Sequence, residues 1–181
     1  MKGVVEEFLD KIGMHKKEEY NPNAGKPFLH PGRQAEIIYD KTVIGYMGEV
    51  HPTVAASYGI GEKAYVAVLD IPAILDFATF DRKYEGIAKF PSVSRYIIML
   101  VPKGVLAGEI EAVIAQRGGK ILENYQLFDI YEGSQIKEGY KSMAYSVTFR
   151  AKDRTLEDAD VNAAMKKILN GLERLGIELR K

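Results

Sequence analysis

Between residues 142 and 150, Ser142, Ala144, Ser146, Thr148 and Arg150 alternate with Met143, Tyr145, Val147 and Phe149. Side chains on a strand point to opposite faces at successive residues. This run therefore builds one apolar face to bury and one flat polar face that ends in a cation. Hydroxyls and amides can pair with the edges of unpaired bases, and a guanidinium can meet a phosphate. A flexible single-stranded nucleic acid could lie on such a face. The same alternation in neighbouring segments adds Asn124, Gln126 and Phe128, then Ser94, Tyr96 and Ile98, and finally Glu178 and Arg180. The expected RNA-contacting set is Ser94, Tyr96, Asn124, Gln126, Phe128, Ser142, Ser146, Thr148, Arg150 and Arg180. Aromatics there would stack on bases at roughly 1–3 kcal/mol each. Two other uses of the face stay open, a protein interface and plain solvation. A β-bulge would turn Phe128 into the core.

The elements that must position these residues follow from periodicity. Residues 93–101 read as a strand, and 105–116 as a helix with Leu106, Ile110, Val113 and Ile114 on one side, ended by Gly118 and Gly119. Residues 121–131 and 142–150 read as strands. A helix capped by Thr155 and Asp158 follows, with Val161, Met165, Ile168, Leu172 and Leu175 as its buried stripe. Gly176 stops it before a short final strand at 177–180. The order βαββαβ is the ferredoxin-like split βαβ unit, and both of its helices must cover the same sheet face. Upstream, residues 4–12 predict an amphipathic helix and 20–32 a Pro- and Gly-rich loop. Residues 34–39 and 42–50 predict strands around a tight Asp40-Lys41 turn. A helix begins at Pro52, and a strand at 64–69 precedes a helical turn near 71–77. The expected organisation is an α+β chain of two units, 1–80 and 92–181, joined by a linker at 81–91.

The chain has 181 residues and no cysteine, which excludes disulfides and thiolate metal sites. No apolar run reaches membrane-spanning length, and the acidic, broken start does not read as a secretion signal. These features predict a soluble, cytoplasmic protein that does not engage a membrane. Lys and Arg outnumber Asp and Glu in residues 88–181, and the reverse holds in 1–87, although the total charge is zero. The asymmetry predicts different partners for the two units.

FPSVSRY (90–96), LFDIYEG (127–133) and KSMAYSVTFRAKDRTLEDADVN (141–162) closely resemble the ferredoxin-fold anticodon-binding domain at the C-terminus of bacterial phenylalanyl-tRNA synthetase beta subunits. PFLHPGRQAEI (27–37) and IGYMGEVHP (44–52) resemble the end of the catalytic-like module of the same subunits, a module related to class II synthetase cores. The resemblance implies a tetramer of two alpha and two beta subunits that joins phenylalanine to its tRNA using ATP and magnesium. The alpha subunit carries the chemistry, and the beta C-terminal domain reaches the anticodon of the tRNA. It also implies an excised C-terminal piece with an artificial or internal Met1, inactive in aminoacylation alone. One departure stands out. The family usually shows an acidic residue where this chain has Tyr96, which offers a stacking surface and one hydroxyl instead of a carboxylate.

Other constellations read as structural. His30, Glu49 and His51 are metal-ligand types without a regular third-ligand spacing, so loop packing is the expectation and no metal site is assigned. Arg33 is expected to shape a turn or contact the alpha subunit. Gly59-Ile60-Gly61 does not follow a strand as phosphate-binding glycines must, and nothing sets a nucleophile beside a base, so no catalytic residue is assigned. No cofactor is expected in this piece. A regulatory amino-acid-binding domain would need a pocket with convergent polar groups, and none is identifiable in the sequence. A truncated first unit would expose strand edges, so residues 34–50 or 64–69 are expected to pair with a second copy.

Overall fold

The computed structural model describes residues 1–14, 18–79 and 86–180. The chain divides into two compact units, Met1–Glu85 and Gly86–Lys181. Residues 81–85 of the expected linker lie outside the described residues.

The first unit opens with helix α1 (Lys2–Lys11). Gly13 ends it with a φ of +83°, where a β-carbon would collide with the Thr79 carbonyl. A sheet follows in the order β1 (Glu18–Asn21), β2 (Leu29–Tyr39), β3 (Thr42–Val50) and β4 (Tyr65–Leu69), every pair antiparallel. The β2–β3 turn is Asp40-Lys41, and both residues have positive φ, as a two-residue hairpin turn of the I′ type requires. Helix α2 (Pro52–Ser57) has His51 as its cap, and α3 (Ile71–Leu75) has Asp70 accepting from the Ala73 amide at 3.1 Å. Val5, Leu9 and Met14 pack with Ile37, Ile44, Met47 and Ile74 to fill the core of this unit.

Two expectations for this unit are corrected. Part of the expected loop at 20–32 is strand: Tyr20 and Asn21 belong to β1, and β2 begins at Leu29. Glu-Glu-Tyr-Asn has weak strand propensity, and it is the pairing to β2 that makes it a strand. Consequently residues 34–50 are not an exposed edge, because β1 and β4 flank them; β4 is a sheet edge.

The second unit contains β5 (Val93–Pro102), α4 (Ala107–Gly118), a 3₁₀ turn (Gly119–Ile121), β6 (Leu122–Tyr131), β7 (Tyr140–Phe149), α5 (Asp158–Glu173) and β8 (Glu178–Leu179). The sheet order is β6-β7-β5-β8, all antiparallel, the arrangement a ferredoxin-like βαββαβ chain must take. Ile97, Met99, Val101, Met143, Tyr145, Val147 and Phe149 form the buried sheet face. They meet Ile110 and Ile114 of α4 and Val161, Ile168 and Leu172 of α5. The buried Tyr145 hydroxyl donates to Glu111 at 3.3 Å. Burial, reinforced by that carboxylate, pushes the phenol above its ordinary range.

Helix α5 starts later than expected, with Glu157 as its cap instead of Thr155. Asp160 decides the position. It accepts from the Glu157 amide at 3.1 Å and from the Arg154 guanidinium at 2.6 and 2.9 Å. These donors, Arg154 foremost, hold its carboxyl down at about 2. A depressed folded-state pKa adds stability that is present above the unfolded value of about 3.9 and is lost as pH falls through the folded value. Acid titration of unfolding should therefore show a loss between about pH 4 and pH 2 that Asp160→Asn removes. Unchanged acid dependence in that variant would contradict the assignment.

Candidate nucleic-acid interface

The register across β6, β7 and β5 arranges the uncovered face in rows. Asn124, Thr148 and Ser94 stand side by side, then Gln126, Ser146 and Tyr96. Beyond them Asp129, Ala144 and Ile98 align, then Tyr131, Ser142 and Leu100, with Glu178 of β8 beside Leu100. The Arg180 amide donates to the Ile98 carbonyl, which continues this edge of the sheet. The Ser94 and Thr148 hydroxyls are 3.1 Å apart.

The aromatic pair lies within this polar field. Tyr96 is 69 % exposed and Phe128 53 % exposed, and their rings meet edge to face with centroids 5.6 Å apart. Register slips between Leu127 and Asp129, so Phe128 is the extra residue of a bulge. The expected bulge hazard thus had the opposite outcome. Phe128 stays on the Tyr96 side, and the bulge also brings Asp129 and Tyr131 onto this face. Sequence reasoning missed both residues. Half-buried Tyr125 and Leu127 are two apart, but the next residue in register with the buried row, Ile130 opposite Met143, is three further on, a shift that only the pairing with β7 shows. Gly133 lets the Tyr131 ring fold over the following loop, since a β-carbon there would sit 2.1 Å from its hydroxyl.

Two expected contacts need correction. Ser142 lies on the right face but is only 6 % exposed, in the middle of a row between Tyr131 and Leu100. Arg150 is not a free cation. Its Nε donates to Glu123 at 2.7 Å and its Nη1 to the Phe90 carbonyl. A second register slip, between Leu122 and Asn124, leaves Glu123 as the extra residue in β6. Arg150 therefore ties the segment just before β5 to β6. Ser94, Tyr96, Asn124, Gln126, Phe128 and Arg180 are exposed as expected, and Ser146 and Thr148 half-buried.

In the first unit the metal-ligand types are occupied by protein partners. Glu49 is buried and accepts from Arg33 Nη1 at 2.7 and 3.0 Å, which holds its carboxyl below the ordinary range. His30 Nδ1 accepts from the Gly32 amide, and His51 Nδ1 from the Thr53 amide. No group of three or more His, Cys, Asp or Glu side chains placed to hold a metal ion occurs among the described residues. A shallow groove of about 370 Å³ lies on the sheet of this unit between Lys26, Glu36, Tyr46, Val68 and Asp70. No helix among the described residues is long and apolar enough to cross a membrane.

An antiparallel βαββαβ sheet with both helices on one face, and with aromatic and amide groups on the other, defines a ferredoxin-like α+β domain with one open sheet face. Residues 88–180 match the ferredoxin-fold anticodon binding domain, and the chain belongs to that family. Residues 1–71 match the phenylalanyl tRNA synthetase beta chain CLM domain. Over nearly its whole length the chain is similar to phenylalanine–tRNA ligase beta subunits. That of Clostridium tetani is 42 % identical over 181 residues, covering 99 % of this chain and 23 % of the relative. Those of Moorella thermoacetica and Bacillus subtilis are 41 % and 39 % identical, covering 100 % and 96 % of this chain. The chain spans less than a quarter of the length of these relatives.

Proposed function

We propose that the second unit binds the anticodon region of the tRNA for phenylalanine through its uncovered sheet face. The observation that carries this reading is the exposed Tyr96–Phe128 pair amid Asn124, Gln126, Ser94 and Thr148. Stacking on exposed rings and pairing with amides and hydroxyls are what recognition of an unpaired loop needs. Asp129, beside Ala144, adds an acceptor for base amino groups that partly replaces the carboxylate missing at Tyr96.

The similarity to beta subunits supports a wider role. The chain serves cytoplasmic phenylalanylation of tRNA by an assembly of alpha and beta subunits, with ATP and magnesium held elsewhere and no cofactor in this chain. Alone it binds tRNA without aminoacylating it. Should it self-associate, β4 is one of the sheet edges that could take part in strand pairing, β1 being the other edge of that sheet. Filter binding of tRNA for phenylalanine across a salt series tests the reading. Affinity that falls steadily with salt is expected. A surface built only to pack on another subunit, the rival reading, would retain no tRNA at any salt concentration.

A further inference from the structure

The sheet face poses an electrostatic problem. Arg150 is held by Glu123, and Glu178 faces Lys137 at 4.0 Å. That leaves Asp129 against Arg180, with no positive excess to hold phosphates, although phosphate neutralisation supplies much of any RNA affinity. The surplus cations of this unit must lie elsewhere.

Three of them converge on the rim between α4 and α5. Gly171 of α5 is buried against α4 so closely that a β-carbon there would sit 2.7 Å from Val113 and 3.2 Å from Arg117 Cγ. The Arg117 side chain therefore crosses from α4 onto α5. Lys167 and Arg174 stand four residues before and three residues after Gly171. Residues at those spacings share a helix face, so both flank the place where Arg117 arrives. All three are exposed. None is within 4.0 Å of a carboxylate among the described residues, whereas Arg95, Lys103, Arg150 and Arg154 of the same unit all have ion-pair partners. Along α5 Asn170 lies between the two cations, and the exposed Glu173, three residues on from Asn170, borders the same rim. A helix C-terminus favours cations, but that preference alone does not bring Arg117 across from the neighbouring helix.

We propose that Arg117, Lys167 and Arg174 form a second RNA contact that takes backbone phosphates, while the sheet face takes bases. This rests on the RNA-binding reading above. Two arginines and a lysine at fixed helical positions suit phosphate oxygens, which arginine engages through two parallel hydrogen bonds. In this arrangement the sheet supplies sequence preference and the helical rim supplies salt-sensitive affinity.

The test is fluorescence anisotropy with labelled tRNA for phenylalanine and the full 181-residue chain, read across a potassium chloride series. The triple variant R117Q/K167Q/R174Q should bind roughly tenfold or more weakly at low salt, with a log–log salt slope shallower by about two units. The charge-preserving variant R117K/R174K should keep the wild-type slope, and circular dichroism melts should match wild type for both. A triple variant with unchanged affinity and slope, in a chain that still loses binding when Tyr96 and Phe128 become alanine, overturns the rim proposal and spares the sheet reading. A wild-type chain that binds no tRNA overturns both. Binding of a polyglutamate peptide that depends on these cations, without an effect of the triple variant on tRNA, assigns the rim to an acidic protein and also overturns the proposal.

Discussion

Replacing Tyr96 and Phe128 together with alanine should weaken tRNA binding by roughly 1–3 kcal/mol for each base that stacks on them. Both rings are largely exposed, at 69 % and 53 %, so little folding energy depends on them. The melting temperature should therefore move little while affinity falls tenfold or more. The rings touch edge to face, and such pairs support one another by about 0.5–1.5 kcal/mol. The two single replacements should consequently not add up to the double one, since either leaves the remaining ring without its neighbour. The salt slope should not change, because no charge is removed. Isothermal titration of the four proteins with tRNA measures all of this. Wild-type affinity in the double variant would remove the aromatic pair from the interface.

The second large effect concerns the platform itself. Phe149 is fully buried in the core between the sheet and its two helices, one strand position from Thr148 on the opposite face. Phe149→Ala should cost about 3–5 kcal/mol, the transfer term plus the cavity that close-packed neighbours cannot fill. Chemical denaturation followed by the near-ultraviolet signal should show the second unit unfolding at much lower denaturant. RNA binding should survive at temperatures where the variant is folded, because no contact residue is removed. A loss of under 1 kcal/mol would mean that this core is not packed as described.

These two predictions also show what could be read in the sequence. The alternation Met143, Tyr145, Val147, Phe149 gave the buried face because period two leaves no other way to bury four large side chains. The helical stripe from Val161 to Leu172 was legible for the analogous reason at period 3.6. The exposed site residues then followed by parity. Parity fails where a strand gains a residue. The bulge at Phe128 moved Asp129 and Tyr131 onto the face, and the slip near Glu123 gave Arg150 its partner. Neither effect is local, since each depends on what lies across the ladder. Ser142 has the right parity but sits between Tyr131 and Leu100, so side-chain size on adjacent strands decided its burial. Strand β1 was invisible for a similar reason, being specified by its neighbour more than by Glu18–Asn21 itself.

RNA binding by this chain depends, in the proposed function, on the uncovered face of the sheet formed by β6, β7, β5 and β8. Backbone amide shifts of the isotope-labelled chain, recorded while an anticodon stem-loop RNA for phenylalanine is added, test it most directly. The largest changes should fall on Ser94, Tyr96, Asn124, Gln126, Phe128 and Asp129, saturating together, with smaller ones near Arg117 and Lys167. Changes confined to the first unit, or none at stem-loop concentrations that saturate binding, would contradict it.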